Sequence, residues 1–209
     1  PPRSTLFPYT TLFRSSDDAL AEKLIQMRNH GMAPKYYHSF VGGNFRLDAI
    51  QAAVLNVKFP HLEAWHEGRR KNAELYNKYF VQAGLATEPG KTQFSPDNKV
   101  LLPGAVYKST GQTNYHIYNQ YIIRVRHRDE LRAFLGENEI GSEIYYPVPF
   151  HRQKCFEYLG AADADFPVAN SFAESSIALP IFPELTREQI SFVVEKIAGF
   201  AKLCPSARA

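Results

Sequence analysis

The chain has 209 residues, 44% hydrophobic and 22% charged, a balance that suits a globular protein long enough to bury a core. Its 24 Lys and Arg stand against 21 Asp and Glu, a formal net charge of +3, and the two signs are interleaved, so no nucleic-acid partner is implied. Cys155 and Cys204 cannot make a disulfide framework and form no CxxC pair, which leaves no zinc or other metal site implied and makes a reducing cytoplasm the default expectation. No apolar run reaches the length of a membrane span.

Pro1 to Ser15 (PPRSTLFPYTTLFRS) nearly repeats itself and has neither helical nor strand periodicity. The translation of a DNA string similar to a short-read sequencing adapter matches it residue for residue. Residues 1–15 are therefore read as a non-native segment, expected to make no native-like contact with the rest of the chain.

From there the elements follow in order. Ser16, Asp17 and Asp18 read as a helix start; Leu20, Leu24 and Met27 form its apolar stripe, and Gly31 ends it. A loop with Pro34, Tyr36, Tyr37 and Gly42-Gly43 precedes a second helix marked by Leu47, Ile50, Val54 and Val57. Pro60 opens a long, charged third helix through Trp65, Tyr76 and Phe80 to Gly84. Residues 85–115 are rich in Pro, Gly, Thr and Asn, which places a domain boundary there. Alternation over Ile117–Val125 predicts a strand, Leu131 to Leu135 a short helix, and Ile140–Tyr146 a second strand stopped by Pro147. A helix around Val168–Ile177 follows, and Thr186 with Gln189 forms a capping box for a last helix bearing Ile190, Val193, Val194 and Ile197. The sum is an α/β chain, helices first and then a small domain with a short, mostly antiparallel sheet.

Three stretches contain more than packing requires. In Gly42-Gly43-Asn44-Phe45-Arg46 the glycines would let backbone N–H groups approach a ligand, the following helix N-terminus attracts anions, and Asn44 and Arg46 add donors suited to a phosphate. A helix-entry turn with a surface arginine is the plain alternative. In Tyr145-Tyr146-Pro147-Val148-Pro149-Phe150-His151 two prolines stiffen a loop that presents a phenol and an imidazole, unless the loop is only a rigid aromatic turn. His116 and Tyr118 fall on one face of the expected strand, where a half-solvated sheet face would also place them.

RNHG (Arg28–Gly31), GGNFRLDAIQAAVL (Gly42–Leu55), HIYNQYIIRV (His116–Val125), EIYYPVPFHRQ (Glu143–Gln153) and LPIFPELTREQ (Leu179–Gln189) occur in this order. Together they resemble the sugar aminotransferases of the DegT/StrS type, a likeness that runs from about Ser16 to Phe200. The resemblance implies a fragment of a fold type I enzyme dependent on pyridoxal 5′-phosphate (PLP): residues 16–84 as the end of the large PLP-binding domain with a linking helix, and 85–209 as the small C-terminal domain. It further implies a homodimer that moves an amino group from glutamate to a nucleotide-linked keto sugar, in surface polysaccharide or amino-sugar biosynthesis. By the same resemblance Asn44 reaches the partner subunit's PLP phosphate, Arg46 lies beside that contact, and His151 approaches the cofactor. Tyr146, His116 and Tyr118 lie near the sugar, so Tyr146 and His151 are expected on an open concave surface.

One departure bears on activity. The family's Schiff-base lysine sits shortly upstream of the helix that begins at Ser16, where this chain has the adapter-like peptide and no lysine. The stacking aromatic and the acid that pairs with the pyridine nitrogen lie further upstream. The resemblance therefore implies an inactive fragment of an active parent. Two rivals remain: a PLP-dependent sugar dehydratase, in which histidine replaces that lysine, and a non-catalytic binding or regulatory protein with this fold.

Overall fold

The computed structural model describes residues 16–203. The adapter-like segment, and the expectation that it makes no native-like contact, lie outside the described residues. The chain divides into two compact units, up to Leu62 and from Glu63 onward.

In the first unit, helix α1 spans Asp18–Arg28 and helix α2 spans Ala49–Lys58. The N-cap of α1 is Asp17, one residue later than the Ser16 start read from sequence, and its carboxylate accepts from the Leu20 N–H at 3.0 Å. At the other end Gly31, at φ +69°, donates its N–H to the Gln26 carbonyl at 2.8 Å, a left-handed exit that suits glycine. The residues that predict α2 stay uncovered: Ile50, Val54 and Val57 are all exposed, and α2 buries no side chain.

The second unit holds the core. Helix α3 (Leu62–Gln82) is followed by strand β1 (Val100–Leu101), strand β2 (Tyr121–Val125), helix α4 (Arg128–Glu137), helix α5 (Pro167–Ser175), strand β3 (Ser176–Leu179) and helix α6 (Arg187–Leu203). The strands form an antiparallel sheet in the order β1-β2-β3, with Tyr121 opposite Leu179, Ile123 opposite Ile177 and Val125 opposite Val100. As the central strand, β2 is buried along nearly its whole length, which is why YIIRV reads as an apolar run as much as an alternation. Ile190, Val193, Val194 and Ile197 of α6 are buried in one cluster with Leu131 and Leu135 of α4. Each such side chain contributes about 1.5–3 kcal/mol by leaving water. The capping box forms as expected: Thr186 N–H donates to Gln189 Oε1 at 2.9 Å and Gln189 N–H to Thr186 Oγ1 at 3.2 Å.

Helix α3 buries Ala73, Tyr76 and Phe80 in the core of the second unit, and Tyr76 donates to the Pro180 carbonyl at 3.0 Å. The strand expectations need correction. The strand expected from Ile117 begins only at Tyr121, because Tyr118 turns the backbone to φ +47°. Ile140–Tyr146 pairs only through the reciprocal bonds of Glu143 with Ala178, at 3.2 and 2.8 Å. The other edge strands, β1 and β3, come from segments read as linker and as helix end.

Candidate functional site

Asn44 sits in the first unit, exposed, on the stretch that returns alongside the end of α1. Its backbone is held there by an antiparallel bridge to Asn29 and by the Phe45 N–H donating to the Arg28 carbonyl at 3.1 Å. Its side chain has one partner among the described residues: Arg46 Nε donates to Asn44 Oδ1 at 2.9 Å. The Asn44 amide nitrogen and the terminal nitrogens of Arg46 are left as donors, a set that suits the oxygens of a phosphate.

The rest of the phosphate cradle expected from sequence does not form. The Gly43 N–H donates to the Met27 carbonyl at 2.9 Å, so it is not offered to a ligand. Gly42 is glycine for packing: a Cβ there would lie 2.4 Å from the Gly31 nitrogen. The helix N-terminus is also taken, since Asp48 is the N-cap of α2 and its carboxylate accepts from Ile50 N–H at 2.8 Å and Gln51 N–H at 3.4 Å. A capping carboxylate saturates these donors and repels a second anion. Of the donors read from sequence in this loop, the side chains of Asn44 and Arg46 are the ones left open.

In the second unit, His116 and Tyr118 stack with ring centroids 4.0 Å apart. The Tyr118 N–H donates to His116 Nδ1 at 2.9 Å, which makes Nδ1 the acceptor and leaves the proton of the neutral ring on Nε2. Burial lowers the His116 pKa below its ordinary value of 6.5 and favours that neutral form. The stack continues inward, Tyr118 lying 6.3 Å from Tyr121 and Tyr121 4.8 Å from Tyr76. Tyr118 is itself buried, so of the pair His116 is the more accessible.

The proline-stiffened loop divides its two candidates. Tyr146 is 83% exposed at φ +58° and lines a cavity with Tyr145. The side chain of His151 is only 6% exposed. Its Nε2 lies 3.1 Å from Asp163 Oδ1, and its ring stacks on Phe166 with centroids 4.7 Å apart. The open concave surface expected for both residues therefore holds Tyr146 and not His151. Asp163, which sequence reasoning passed over, is the anchor. It also accepts from Arg152 at 2.8 and 3.0 Å, and these bonds, then the His151 contact, hold its carboxyl below the usual range. Spacing gives no hint of this, since the carboxylate comes from a polar turn of ordinary composition.

Among the described residues no helix is long and apolar enough to cross a membrane. The profile of the DegT/DnrJ/EryC1/StrS aminotransferase family matches residues 12–198, entering the last residues of the adapter-like segment. A protein of Geobacillus stearothermophilus named pleiotropic regulatory protein is 44% identical over 89% of this chain and 45% of its own length. The UDP-N-acetyl-3-dehydro-alpha-D-glucosamine 3-aminotransferase of Acidithiobacillus ferrooxidans is 34% identical over 88% of this chain and 44% of its own. Among solved structures, DesV of Streptomyces venezuelae superposes with a TM-score of 0.70 at 32% identity, covering 90% of this chain and 46% of that one. The chain thus spans about half the length of the relatives it matches. On this profile match, with the motifs in order and the fold shared, the chain belongs to the DegT/DnrJ/EryC1/StrS aminotransferase family.

Proposed function

We propose that the chain is part of a PLP-dependent aminotransferase that moves an amino group from glutamate to a nucleotide-linked keto sugar, acting as a cytoplasmic homodimer in polysaccharide or amino-sugar biosynthesis. The observation that carries this reading is the Asn44–Arg46 pair, an exposed donor set held by one 2.9 Å bond. It fits a phosphate by its chemistry: amide and guanidinium donors, with the nearby carboxylate of Asp48 already committed to the backbone of α2. Bound PLP supplies the electron sink for exchanging an amino group with a carbonyl. The residues of this chain hold and orient. Asn44 and Arg46 take the phosphate of the cofactor across the dimer. Tyr146 offers its phenol to the sugar from a loop stiffened by Pro147 and Pro149. His116 offers a neutral ring with its proton on Nε2, next to Tyr118. His151, held by Asp163 and Phe166, serves chiefly to fix that loop and approaches the cofactor only if Asp163 releases it.

Schiff-base chemistry needs a lysine that neither the adapter-like segment nor the GGN and YYPVPFH motifs supply. Lys23 and Lys35 are surface-type lysines. The 209 residues alone are therefore expected to be inactive, and the lysine to come from polypeptide upstream of Ser16. The test is an assay of both proteins, this chain and one carrying its native upstream region, with PLP, glutamate and a panel of UDP- and dTDP-linked keto sugars, read by mass spectrometry. Amino-sugar formed by the longer protein alone supports the proposal, and amino-sugar formed by the 209-residue chain refutes the inactivity.

A second reading has one observation behind it, the 44% identity to a protein named as a regulator. On that reading the longer protein would bind PLP without passing an amino group to any sugar in the panel.

A further inference from the structure

Three arginines of the second unit are buried, and two of them meet a carboxylate. Arg70 reaches Glu67 at 2.9 Å and Arg128 reaches Asp129 at 2.6 Å. The third, Arg124, lies in the central strand β2 and is 8% exposed. Its Nε donates to Ser175 Oγ at 2.8 Å, one terminal nitrogen to Ser171 Oγ at 2.7 Å, and the other to the Thr92 carbonyl at 3.4 Å. The guanidinium carbon stands 4.0 Å from the centre of the Phe172 ring. Hydroxyls, a carbonyl and a ring face stabilise a cation but do not neutralise it, and among the described residues no carboxylate lies within ion-pair distance of Arg124. A buried charge is ordinarily paired, because desolvation without a counter-charge is costly.

Arg124 also lines a cavity of about 640 Å³, within the size range of small-molecule sites. The other walls are mostly apolar or aromatic, among them Leu102, Ile122, Phe150 and Phe172, with Tyr145 and Tyr146 contributing phenols. Lys91 lines it too, but its ammonium is already paired with Glu88 at 2.7 Å. Three of the five guanidinium N–H groups of Arg124 are engaged by the bonds above, which leaves one on each terminal nitrogen as donors for a carboxylate or phosphate.

We propose that this cavity binds a small organic anion, a carboxylate or phosphate monoester on a flat or apolar body, with Arg124 as the group that recognises the charge. The cavity shares Tyr146 with the sugar reading above, but the proposal rests on Arg124 and contacts within the second unit, and the 209-residue chain tests it without any transamination. The rival account is that Arg124 merely fastens α5 and the 91–92 segment to the sheet. The two part company at Ala169, an exposed residue of the cavity wall that makes none of the bonds to Arg124. Ala169→Trp fills the cavity and leaves the fastening intact.

The test titrates the 209-residue chain with phenyl phosphate, benzoate and neutral benzamide, using calorimetry and the NMR signal of the Arg124 side-chain Nε–H. Phenyl phosphate and benzoate should bind saturably and shift that signal, with benzamide at least tenfold weaker. Ala169→Trp and Arg124→Met should each weaken phenyl phosphate at least tenfold, and Arg124→Lys less. Adding UMP and glutamate as competitors separates a nucleotide phosphate from an amino-acid carboxylate as the source of the anion. Benzamide binding as tightly as benzoate, or unchanged phenyl phosphate affinity in Ala169→Trp, overturns the proposal. Should Arg124→Met fail to fold, the Ala169→Trp comparison and the NMR shift still decide.

Discussion

Arg46 Nε donates to Asn44 Oδ1 at 2.9 Å, and this one bond determines which atoms of the loop remain available to a ligand. It occupies one lone pair of Asn44 Oδ1 and leaves the amide N–H groups of Asn44 and the terminal N–H groups of Arg46 as donors. In the protein carrying its upstream region, Asn44→Ala should raise the PLP dissociation constant about 10- to 100-fold, the worth of a hydrogen bond to a charged group. Asn44→Asp should weaken it further, because it keeps an acceptor for Arg46 while replacing donors with a negative charge. Spectroscopic titration with PLP checks both, and unchanged affinity in Asn44→Ala would withdraw the assignment.

Asp48 belongs to the helix and not to the ligand. Asp48→Ala should cost about 0.5–2 kcal/mol of stability through loss of the α2 cap. Asp48→Ser should recover most of it, since the hydroxyl caps as well. Urea denaturation measures the effect. In the longer protein neither change should weaken PLP by more than about twofold, and a loss comparable to that of Asn44→Ala would place Asp48 in the ligand site.

Acid should destabilise the second unit through His116. Its folded pKa lies below the ordinary 6.5 because burial disfavours the charged ring. Above pH 6.5 the ring is neutral in both states and its contribution is complete. As pH falls below 6.5 the unfolded chain takes the proton first, and stability is lost until the folded pKa is passed. His116→Asn keeps an acceptor for the Tyr118 N–H and removes the titration. The drop in denaturation midpoint between pH 7.5 and pH 5 should therefore be smaller in the variant. An identical drop would show that His116 does not carry it.

Tyr76 fills the core and donates to the Pro180 carbonyl at 3.0 Å. Tyr76→Phe keeps the ring stack on Tyr121 and should cost about 1–3 kcal/mol for an acceptor left without its donor. Tyr76→Ala should cost about 3–5 kcal/mol or unfold the chain. Equal effects of the two would mean that the hydroxyl, not the ring, dominates.

How much of this was legible in sequence depended on how local the cause was. The helices, the Thr186–Gln189 capping box and the apolar face of α6 follow from spacing along one element, and they appear where that spacing puts them. Strands β1 and β3 take their identity from pairing with β2, so Val100–Leu101 reads as linker and Ser176–Leu179 as the tail of a helix until the partner is known. The site divides in the same way. That Asn44 and Arg46 present exposed donors is legible because a glycine-flanked run of donors is a local signal. The use of the Gly43 N–H by Met27, and of the His151 ring by Asp163, depends on where distant backbone and a polar turn come to rest. Arg124 was hidden for another reason: a charge at the fourth position of YIIRV looks like the solvent side of a strand, whereas α5 covers it with Ser171, Phe172 and Ser175.

Transamination by the longer protein is tested by the visible spectrum of the protein carrying its native upstream region, reconstituted with PLP and then given glutamate. The expected result is an absorption band that is bleached by glutamate and restored by a nucleotide-linked keto sugar, with neither change in the 209-residue chain. A longer protein whose band is indifferent to glutamate, or a 209-residue chain that shows both changes, would contradict it.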